Sequence, residues 1–454
     1  MAPVETLSAW VDRQHEHAAR QMLRSIAPLG IVKSRPGFDQ VIRPLPGAMV
    51  ASPIPASYDP DPDYFFHWYR DSAIVIDALR LLHAGGHVGV EAPRLFGDFV
   101  RFSASLSRLD GRRLAADSGR WRARVAADFV QYLRPDAELE RVHGEAVLAE
   151  TRVNADGTLD ISNWARPQND GPPLRALAVL RWMRSVPLDA TLQATCGGLL
   201  RADLRFTRTH WREPCYDIWE EERGLHYYTL CVSAQALEEG AGWLGTHGEE
   251  AEAQSCRAHA QVIREALDGY WLADQGYYRS RVLDSGERSA KELDIAVILA
   301  ALQCADDRAT HSVCDPRVHA TLGVLDSVFD ADYPINHGRP PARAPALGRY
   351  RADRYYSGGA YYFSTLAAAE LCFRATGRGS AREALLARGD RYLETVRAFT
   401  PASGDMSEQF DQRTGEQTSA KHLAWSYAAL ISCAAARRAA TDRESDSASR
   451  EPAP

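Results

Sequence analysis

The chain has 454 residues, of which 45% are hydrophobic and 25% are charged, and its formal net charge is −7 at pH 7. This is the composition of an ordinary globular protein that is long enough to bury a large core. The acidic balance argues against a general binder of nucleic acid or of anionic membranes, since such proteins carry a basic excess. No apolar run approaches the roughly 18 residues that a membrane span needs.

The termini and the cysteines predict a cytoplasmic protein. The first residues show neither the basic region nor the apolar region of a signal peptide. The eight cysteines contain no CxxC pair, which gives little support to a zinc or redox site, and no EF-hand spacing is present. We therefore expect no cofactor and no metal site. The oligomeric state cannot be inferred from the sequence.

Helical periodicity dominates the chain, and the predicted class is all-α with about thirteen helices. Val75, Ala78, Leu79 and Leu82 repeat at helical spacing, and no convincing strand alternation is found beyond short pieces. Residues 1–438 are predicted to form one domain, and residues 439–454 a disordered polar tail. Similar helical patterns cover residues 6–28, 92–108, 122–134, 173–183, 190–208, 228–239, 250–270, 289–303, 314–330, 360–376, 380–398 and 422–432.

Five of the loops between these helices are long and rich in aromatic, charged and glycine residues. Long loops in a compact domain are usually functional or disordered, and the aromatic content argues against disorder. We expect helices in antiparallel pairs, with these loops gathered at one end. The five loops are residues 44–71, 154–173, 209–228, 334–360 and 399–420.

In the first loop, Arg70 and Asp71 stand at a predicted helix start among aromatic residues, in "DPDYFFHWYRDSA". Aromatic faces beside an ion pair suit a sugar ring and its hydroxyls. The alternative is a helix start, capped by Asp71 or Ser72, that packs on an aromatic cluster.

In the third loop, "YDIWEEERG" holds Asp217, Glu220, Glu221 and Glu222 within nine residues. Crowded carboxylates repel, so burial would raise the pKa of one of them, which is what a general acid needs at neutral pH. The alternative is a helix N-terminus whose dipole favours acidic residues. The role of Glu408 in the fifth loop is also left open, because a lone glutamate in a polar loop is more often a solvated residue than a catalytic one. Ser419 is a candidate N-cap of the helix that follows.

All five loops, in this order, resemble the catalytic domain of glycoside hydrolase family 15, the glucoamylases. The motifs that carry the resemblance are "DPDYFFHWYRDS", "WARPQNDGPPLRA", "YDIWEE", "GRYRADRYY" and "MSEQFDQRTGEQTSAKHLAWSYAAL", and the similarity runs from near residue 7 to near residue 438. The resemblance implies an (α/α)6 barrel of about twelve to thirteen helices. It also implies an exo-acting hydrolase that inverts the anomeric centre and releases β-D-glucose from the non-reducing ends of α-glucosides.

Catalytic roles follow from the same resemblance. Glu220 is expected to be the general acid and Glu408 the general base that holds the attacking water. Inversion implies that the two carboxyl groups lie about 6.5–9.5 Å apart. Asp217 is expected to lie behind Glu220 and to tune it, and Glu221 to hold the leaving sugar.

Substrate-binding roles are implied for six further residues. Arg70 and Asp71 are expected to bind hydroxyls of the terminal glucose, with Arg349 at the same or the next subsite. The expected aromatic contacts come from Trp68 and Trp164, as stacking walls, and from Tyr64, near the scissile bond.

Two departures from the family pattern lie near the leaving-group side. Ala352 replaces an acidic residue, and Tyr361 stands where tryptophan is usual. They leave open which glycosidic linkage is cut, so an α-1,6-specific glucosidase or a trehalase of the same family is an alternative. We expect short soluble α-gluco-oligosaccharides as substrates.

A catalytically silent sugar-binding or regulatory domain is the alternative of another class. Such a domain need not keep both "WEE" and "SEQ", and this chain has both.

Overall fold

The computed structural model describes residues 5–58, 60–304, 310–377 and 381–448. Within these ranges it contains fifteen α-helices, of which four are six residues or shorter. The helices are α1 (Leu7–Leu23), α2 (Tyr69–Ala84), α3 (Glu91–Leu106), α4 (Gly111–Ala116), α5 (Ser118–Arg122), α6 (Asp136–Leu139), α7 (Gly171–Ser185), α8 (Ala190–His210), α9 (Tyr227–Thr246), α10 (Glu250–Asp268), α11 (Ala296–Ala301), α12 (Pro316–Asp332), α13 (Tyr362–Ala375), α14 (Arg382–Phe399) and α15 (Ala424–Ala448).

The strands are short, between two and five residues each, and those with an assigned register pair antiparallel in small sheets. Strands this short explain why no period-two alternation was visible in the sequence. The strands are β1 (Lys33–Arg35), β2 (Gln40–Ile42), β3 (Phe66–Trp68), β4 (Arg152–Asn154), β5 (Cys215–Tyr216), β6 (Arg223–His226), β7 (Trp271–Leu272), β8 (Tyr277–Tyr278), β9 (Arg281–Leu283), β10 (Ala360–Tyr361), β11 (Ser407–Phe410) and β12 (Gln417–Lys421).

The chain forms two compact units. The first unit comprises Met22–Glu265 and Val282–Glu287, and the second comprises the described residues of Met1–Gln21, Ala266–Arg281 and Arg288–Pro454. In the first unit, α7 packs against α2, α8 and α9, and α3 packs against α8. Residues Gly171–Leu180 of α7 are all buried, as expected of a helix that is covered on every side.

Trp182 links three helices of the first unit. Its ring stacks on Phe96 of α3 with the ring centroids 4.7 Å apart, and its Nε1 donates to the backbone oxygen of Ile76 in α2 at 2.7 Å. Trp182 lies on α7, whose first turn contains Pro172 and Pro173, residues suited to the start of a helix. These contacts fix the helices that carry the polar residues described below.

In the second unit, α13 packs against α14 and α15, and α11 packs against α12 and α13. The rings of Phe363 in α13 and Trp425 in α15 stack with centroids 4.5 Å apart and an interplanar angle of 10°. β10, β11 and β12 form an antiparallel sheet that leads directly into α13 through Tyr361. This sheet positions Glu408, which lies on β11.

Two predicted helices are wrong in extent. Residues 122–134 contain only the end of α5 and a 3₁₀ helix at Ala127–Tyr132, because Val125 and Leu133 anchor the segment in one hydrophobic cluster at its two ends. Residues 289–303 contain only α11. The backbone before α11 is held by other partners: Glu292 O accepts from Ser280 N at 2.7 Å, and Ile295 N donates to Arg349 O at 2.8 Å.

At the C-terminal end, α15 continues past residue 438, where we placed the domain boundary, to Ala448. Residues 449–454 of the predicted tail lie outside the described residues, and the division into domain and tail stays a prediction. Among the helices described, none has both the length and the apolar character that crossing a membrane requires.

Candidate active site

The acidic stretch of the third loop forms a tight turn between β5 and β6 in the first unit. The backbone N–H of Glu220 donates to Asp217 O, and the N–H of Glu221 donates to the Asp217 carboxylate, both at 2.9 Å. Glu220 has a φ of +67°, in the left-handed region. Since α9 begins only at Tyr227, the alternative of a helix N-terminus is wrong. The role of Asp217 seen here is to hold the turn.

The Glu220 carboxylate is held by two tryptophans and one arginine. Its Oε1 accepts a hydrogen bond from Trp68 Nε1 at 2.7 Å and one from Arg70 Nη2 at 3.3 Å, and its Oε2 accepts one from Trp164 Nε1. The Glu220 side chain is 13% exposed. Both carboxylate oxygens are therefore fixed in position at a partly open place.

Arg70 is the centre of a buried polar cluster beside Glu220. Its Nη1 donates to Gln168 Oε1 at 2.9 Å and to Asp170 Oδ2 at 3.2 Å, and its Nε lies 3.6 Å from Asp71 Oδ2. Arg70 and Asp71 are in the first turn of α2, and Asp170 is the residue before α7. The packing of α2 on α7 thus brings the first and the second loop together.

The electrostatics of this cluster shift two ionisable groups. Burial raises the pKa of the Asp71 carboxyl to about 6; the charges of Glu220 and Asp170 also raise it, and Arg70 opposes them. Burial lowers the pKa of Arg70, but the carboxylates of Asp170, Asp71 and Glu220 outweigh burial and raise it above its ordinary value. Arg70 is therefore a fixed cation, and Asp71 changes charge in a mildly acidic range.

Aromatic rings form a wall next to Glu220. The ring centroids of Tyr64 and Trp68 are 5.2 Å apart, and those of Trp68 and Trp164 are 6.5 Å apart. The guanidinium carbon of Arg152 lies 3.6 Å from the Trp164 ring centroid and 4.8 Å from that of Trp68. Arg152, in β4, is held by Asp160 at 2.9 Å. It was not singled out from the sequence, where a lone arginine in a short strand carries no signal.

In the second unit, Glu408 is 9% exposed and lies on β11. The Oγ of Ser419 in β12 donates a hydrogen bond to Glu408 Oε2. The expectation that Ser419 caps the following helix is wrong, because its side chain is turned to Glu408 and α15 begins at Ala424. The hydroxyl orients the carboxylate that the resemblance assigns as general base.

Arg349 forms a buried bidentate pair in the second unit. Its Nε donates to Asp353 Oδ2 at 2.7 Å and its Nη2 to Asp353 Oδ1 at 2.6 Å. The Tyr361 hydroxyl donates to Asp353 Oδ2 at 3.4 Å and accepts from Gln409 Nε2 at 2.7 Å. Gln409 is the neighbour of Glu408 on β11. Arg349 is therefore connected to the strand of Glu408 through three polar side chains.

The structure thus places the predicted residues in two groups. Tyr64, Trp68, Arg70, Asp71, Trp164, Asp217, Glu220 and Glu221 belong to the first unit, and Arg349 and Glu408 to the second. The capping expected of Asp71 or Ser72 is wrong: α2 begins at Tyr69, its N-cap is Trp68, and no side chain caps it. Among the described residues, no group of three or more His, Cys, Asp or Glu side chains is arranged to hold a metal ion.

Comparison with known proteins gives one consistent result. The family model of the glycosyl hydrolases family 15 matches residues 35–99, 125–386 and 379–435. The chain belongs to glycosyl hydrolase family 15. Membership confirms the predicted family and the enzyme class, a glycoside hydrolase of glucoamylase type.

Relatives and solved structures agree with this membership. The chain is 27% identical to a probable glucoamylase of Schizosaccharomyces pombe, over 96% of this chain and 92% of the relative. It is 29% identical to a glucoamylase of Neurospora crassa, over 87% of this chain but only 63% of the relative. The solved glucoamylase of Hormoconis resinae has a TM-score of 0.76 at 24% identity, covering 96% of this chain and 74% of that one. The likeness confirms the predicted all-α (α/α)6 fold class.

Proposed function

We propose that this family 15 hydrolase is an inverting, exo-acting enzyme that releases β-D-glucose from the non-reducing ends of short α-gluco-oligosaccharides. In this proposal, Glu220 protonates the leaving oxygen and Glu408 takes a proton from the attacking water. Inversion by two carboxyl groups needs no covalent intermediate, and it requires room for one water molecule. The observation that carries the proposal is the Glu220 carboxylate, fixed by Trp68, Trp164 and Arg70 beside the buried Asp71.

The cluster around Arg70 supports recognition of a terminal sugar. Arg70 and Asp71 offer fixed donors and acceptors, and the rings of Trp68, Trp164 and Tyr64 offer apolar faces for the C–H surface of a pyranose. A site built to bind hydroxyl groups discriminates strongly against a ligand that lacks them, since its buried polar groups would be left unpaired. Glu221, whose backbone N–H is held by Asp217, is proposed to bind the leaving sugar.

The linkage preference is proposed to depend on how little contact Tyr361 and Ala352 offer to the leaving group. This side chain is 1% exposed, and its hydroxyl is engaged by Asp353 and Gln409, so its ring is packed inside the second unit. Ala352 is exposed and has a φ of +61°. A buried tyrosine and a missing acid lessen the contacts available to a long leaving group. This favours short substrates and keeps an α-1,6 or trehalose preference within the same active site as the second candidate.

A cytoplasmic location is also proposed. Cys196, Cys215, Cys256, Cys372 and Cys433 are buried free thiols, which is typical of proteins in reducing compartments. One relative, 25% identical, is named an intracellular sporulation-specific glucoamylase of Saccharomyces cerevisiae.

An activity panel tests the proposal. Purified protein is incubated with maltose, isomaltose, maltodextrins and trehalose, and the product anomer is read by NMR in the first minutes. We expect β-glucose from at least one α-glucoside, and a loss of at least about a hundredfold in kcat for Glu220→Gln and for Glu408→Gln. Release of α-glucose would contradict inversion, and full activity in either variant would remove its catalytic assignment.

A further inference from the structure

A cavity in the second unit has a strongly cationic wall that the proposed hydrolysis does not use. Its volume is about 520 Å³. Its wall comes from the end of α12, the loop that follows it and α14. It includes three arginines, Arg339, Arg343 and Arg391, against a single carboxylate, Asp330. A space of this size accepts a small ligand of one or two rings.

The charge of this wall is not neutralised by the protein. Asp330 is already paired with Arg339. Neither Arg343 nor Arg391 forms an ion pair with any carboxylate in the described ranges, and the Nε of Arg343 is shielded from solvent without a hydrogen-bond acceptor. A buried donor without an acceptor costs free energy unless a ligand or water supplies one.

Hydrogen bonds hold the loop that forms most of this wall. Arg339 Nε donates to Arg343 O at 3.1 Å and its Nη1 to Asn336 O at 3.2 Å, which closes the loop on itself. The buried side chain of Asn336 donates to Phe329 O at 2.9 Å and accepts from Ala346 N at 2.8 Å. Ala344 N donates to Arg391 O at 3.0 Å and so ties the loop to α14. The arginines are therefore presented by a backbone held at several points.

We propose that this cavity binds a phosphate group, either as inorganic phosphate or as the phosphate monoester of a sugar. Guanidinium groups match the geometry of phosphate oxygens in a bidentate manner, and several of them around one cavity stabilise a dianion. His337, which also lines the cavity, adds a further polar group. None of the residues that line the cavity is assigned to hydrolysis, so the proposed phosphate site does not depend on the proposed function.

The test is calorimetric titration of the purified full chain with inorganic phosphate, glucose 6-phosphate and glucose at low ionic strength. Four proteins are compared: the unchanged chain, Arg391→Ala, Arg343→Gln, and the control Arg20→Ala, which removes an exposed arginine of α1. We expect saturable binding of at least one phosphate compound, weakened about tenfold or more in Arg391→Ala and Arg343→Gln and unchanged in Arg20→Ala. Glucose alone should give the same signal in all four proteins.

The arms separate the two sources of phosphate. If the binding free energy of glucose 6-phosphate is more favourable than the sum of those of phosphate and glucose, the occupant is a sugar phosphate. If glucose 6-phosphate and inorganic phosphate bind with equal affinity, the occupant is phosphate alone. Arg391 is exposed, so Arg391→Ala should have the melting temperature of the unchanged protein. If Arg343→Gln is unstable, the affinity of Arg391→Ala for the phosphate compounds decides between binding and no binding at this cavity. No saturable binding up to about 10 mM, or equal affinity in the arginine variants, would overturn the proposal.

Discussion

The indole N–H of Trp68 donates to Glu220 Oε1 at 2.7 Å, across 152 positions of the chain. The indole of Trp164 reaches the other oxygen of the same carboxylate. An indole N–H is a donor only, so neither bond can reverse when the carboxylate gains or loses a proton. Two rigid rings therefore set where the Glu220 side chain points.

Trp68→Phe should keep most of the apolar wall and remove one of these hydrogen bonds. We expect kcat/KM for the best substrate of the panel to fall by about 3- to 10-fold, because one hydrogen bond to a carboxyl group is worth about 0.5–1.5 kcal/mol. The matched control is Trp121→Phe, which removes an indole hydrogen bond to Leu114 O elsewhere in the first unit. Equal activity of Trp68→Phe and the unchanged protein would show that Trp68 does not position Glu220.

Asp71 should make the stability of the fold depend on pH. Its pKa is about 6 in the folded state against an ordinary value of 3.8, so the folded state binds more protons between these values. The contribution of Asp71 to the free energy of unfolding is therefore present below about pH 4 and is lost as the pH rises through about 6. Asp71→Asn should gain stability relative to the unchanged protein as the pH rises from 4 to 7, by about 1.4 kcal/mol per unit of pKa shift. Urea denaturation of both proteins across this range measures the difference, and a constant difference would contradict the assignment.

The buried pair of Arg349 and Asp353 should matter far more to stability than an exposed pair nearby. Asp353→Asn leaves a buried guanidinium without its counter-charge, and we expect a loss of about 3–5 kcal/mol in the free energy of unfolding. Asp332→Asn breaks the exposed pair with Arg351, whose groups are 2.9 Å apart, and should cost less than about 1 kcal/mol. Thermal melts of both variants make the comparison, and similar losses would show that Asp353 is not the partner that keeps Arg349 buried.

Ser419→Ala should change the pH dependence of turnover. Loss of a hydrogen bond to a carboxylate disfavours its ionised form, so the acidic limb of the kcat profile should move to higher pH. The control Ser403→Ala removes an exposed hydroxyl that accepts from Asp405 N at 3.3 Å. An unchanged acidic limb with lowered kcat would mean that Ser419 serves the fold of β12 and does not act on Glu408.

The sequence predicted the helices and motifs well where the signal is local. The spacing of Val75 and Leu79 predicts α2, and the motifs around Glu220 and Glu408 predict the family. The start of α2 was misplaced because Trp68, the residue that ends β3, is also the N-cap, and the pairing of β3 with β4 is set by residues far along the chain. The predicted extent of α11 was wrong for a similar reason, since the backbone before this helix forms hydrogen bonds with Ser280 and Arg349.

Side-chain partners across loops were beyond the sequence. Ser419 lies 11 positions from Glu408, and nothing in its local pattern distinguishes a cap from a partner of a carboxylate. Asp170 and Gln168 lie in the motif "WARPQNDGPPLRA" with no role assigned from the sequence, yet both bind Arg70. Such pairs depend on how separate helices pack, which periodicity does not encode.

The left-handed backbone of Glu220 has a cost in conformational free energy. A residue with a Cβ at a φ of +67° is strained by about 1–2 kcal/mol, and glycine would relieve that strain. Replacing Glu220 by glycine would also remove a counter-charge of buried Arg70 and the acceptor of the Trp68 and Trp164 indole N–H groups, so we expect the melting temperature to fall even though the strain is relieved. The donors that fix the Glu220 carboxylate therefore also keep this strained backbone in the fold.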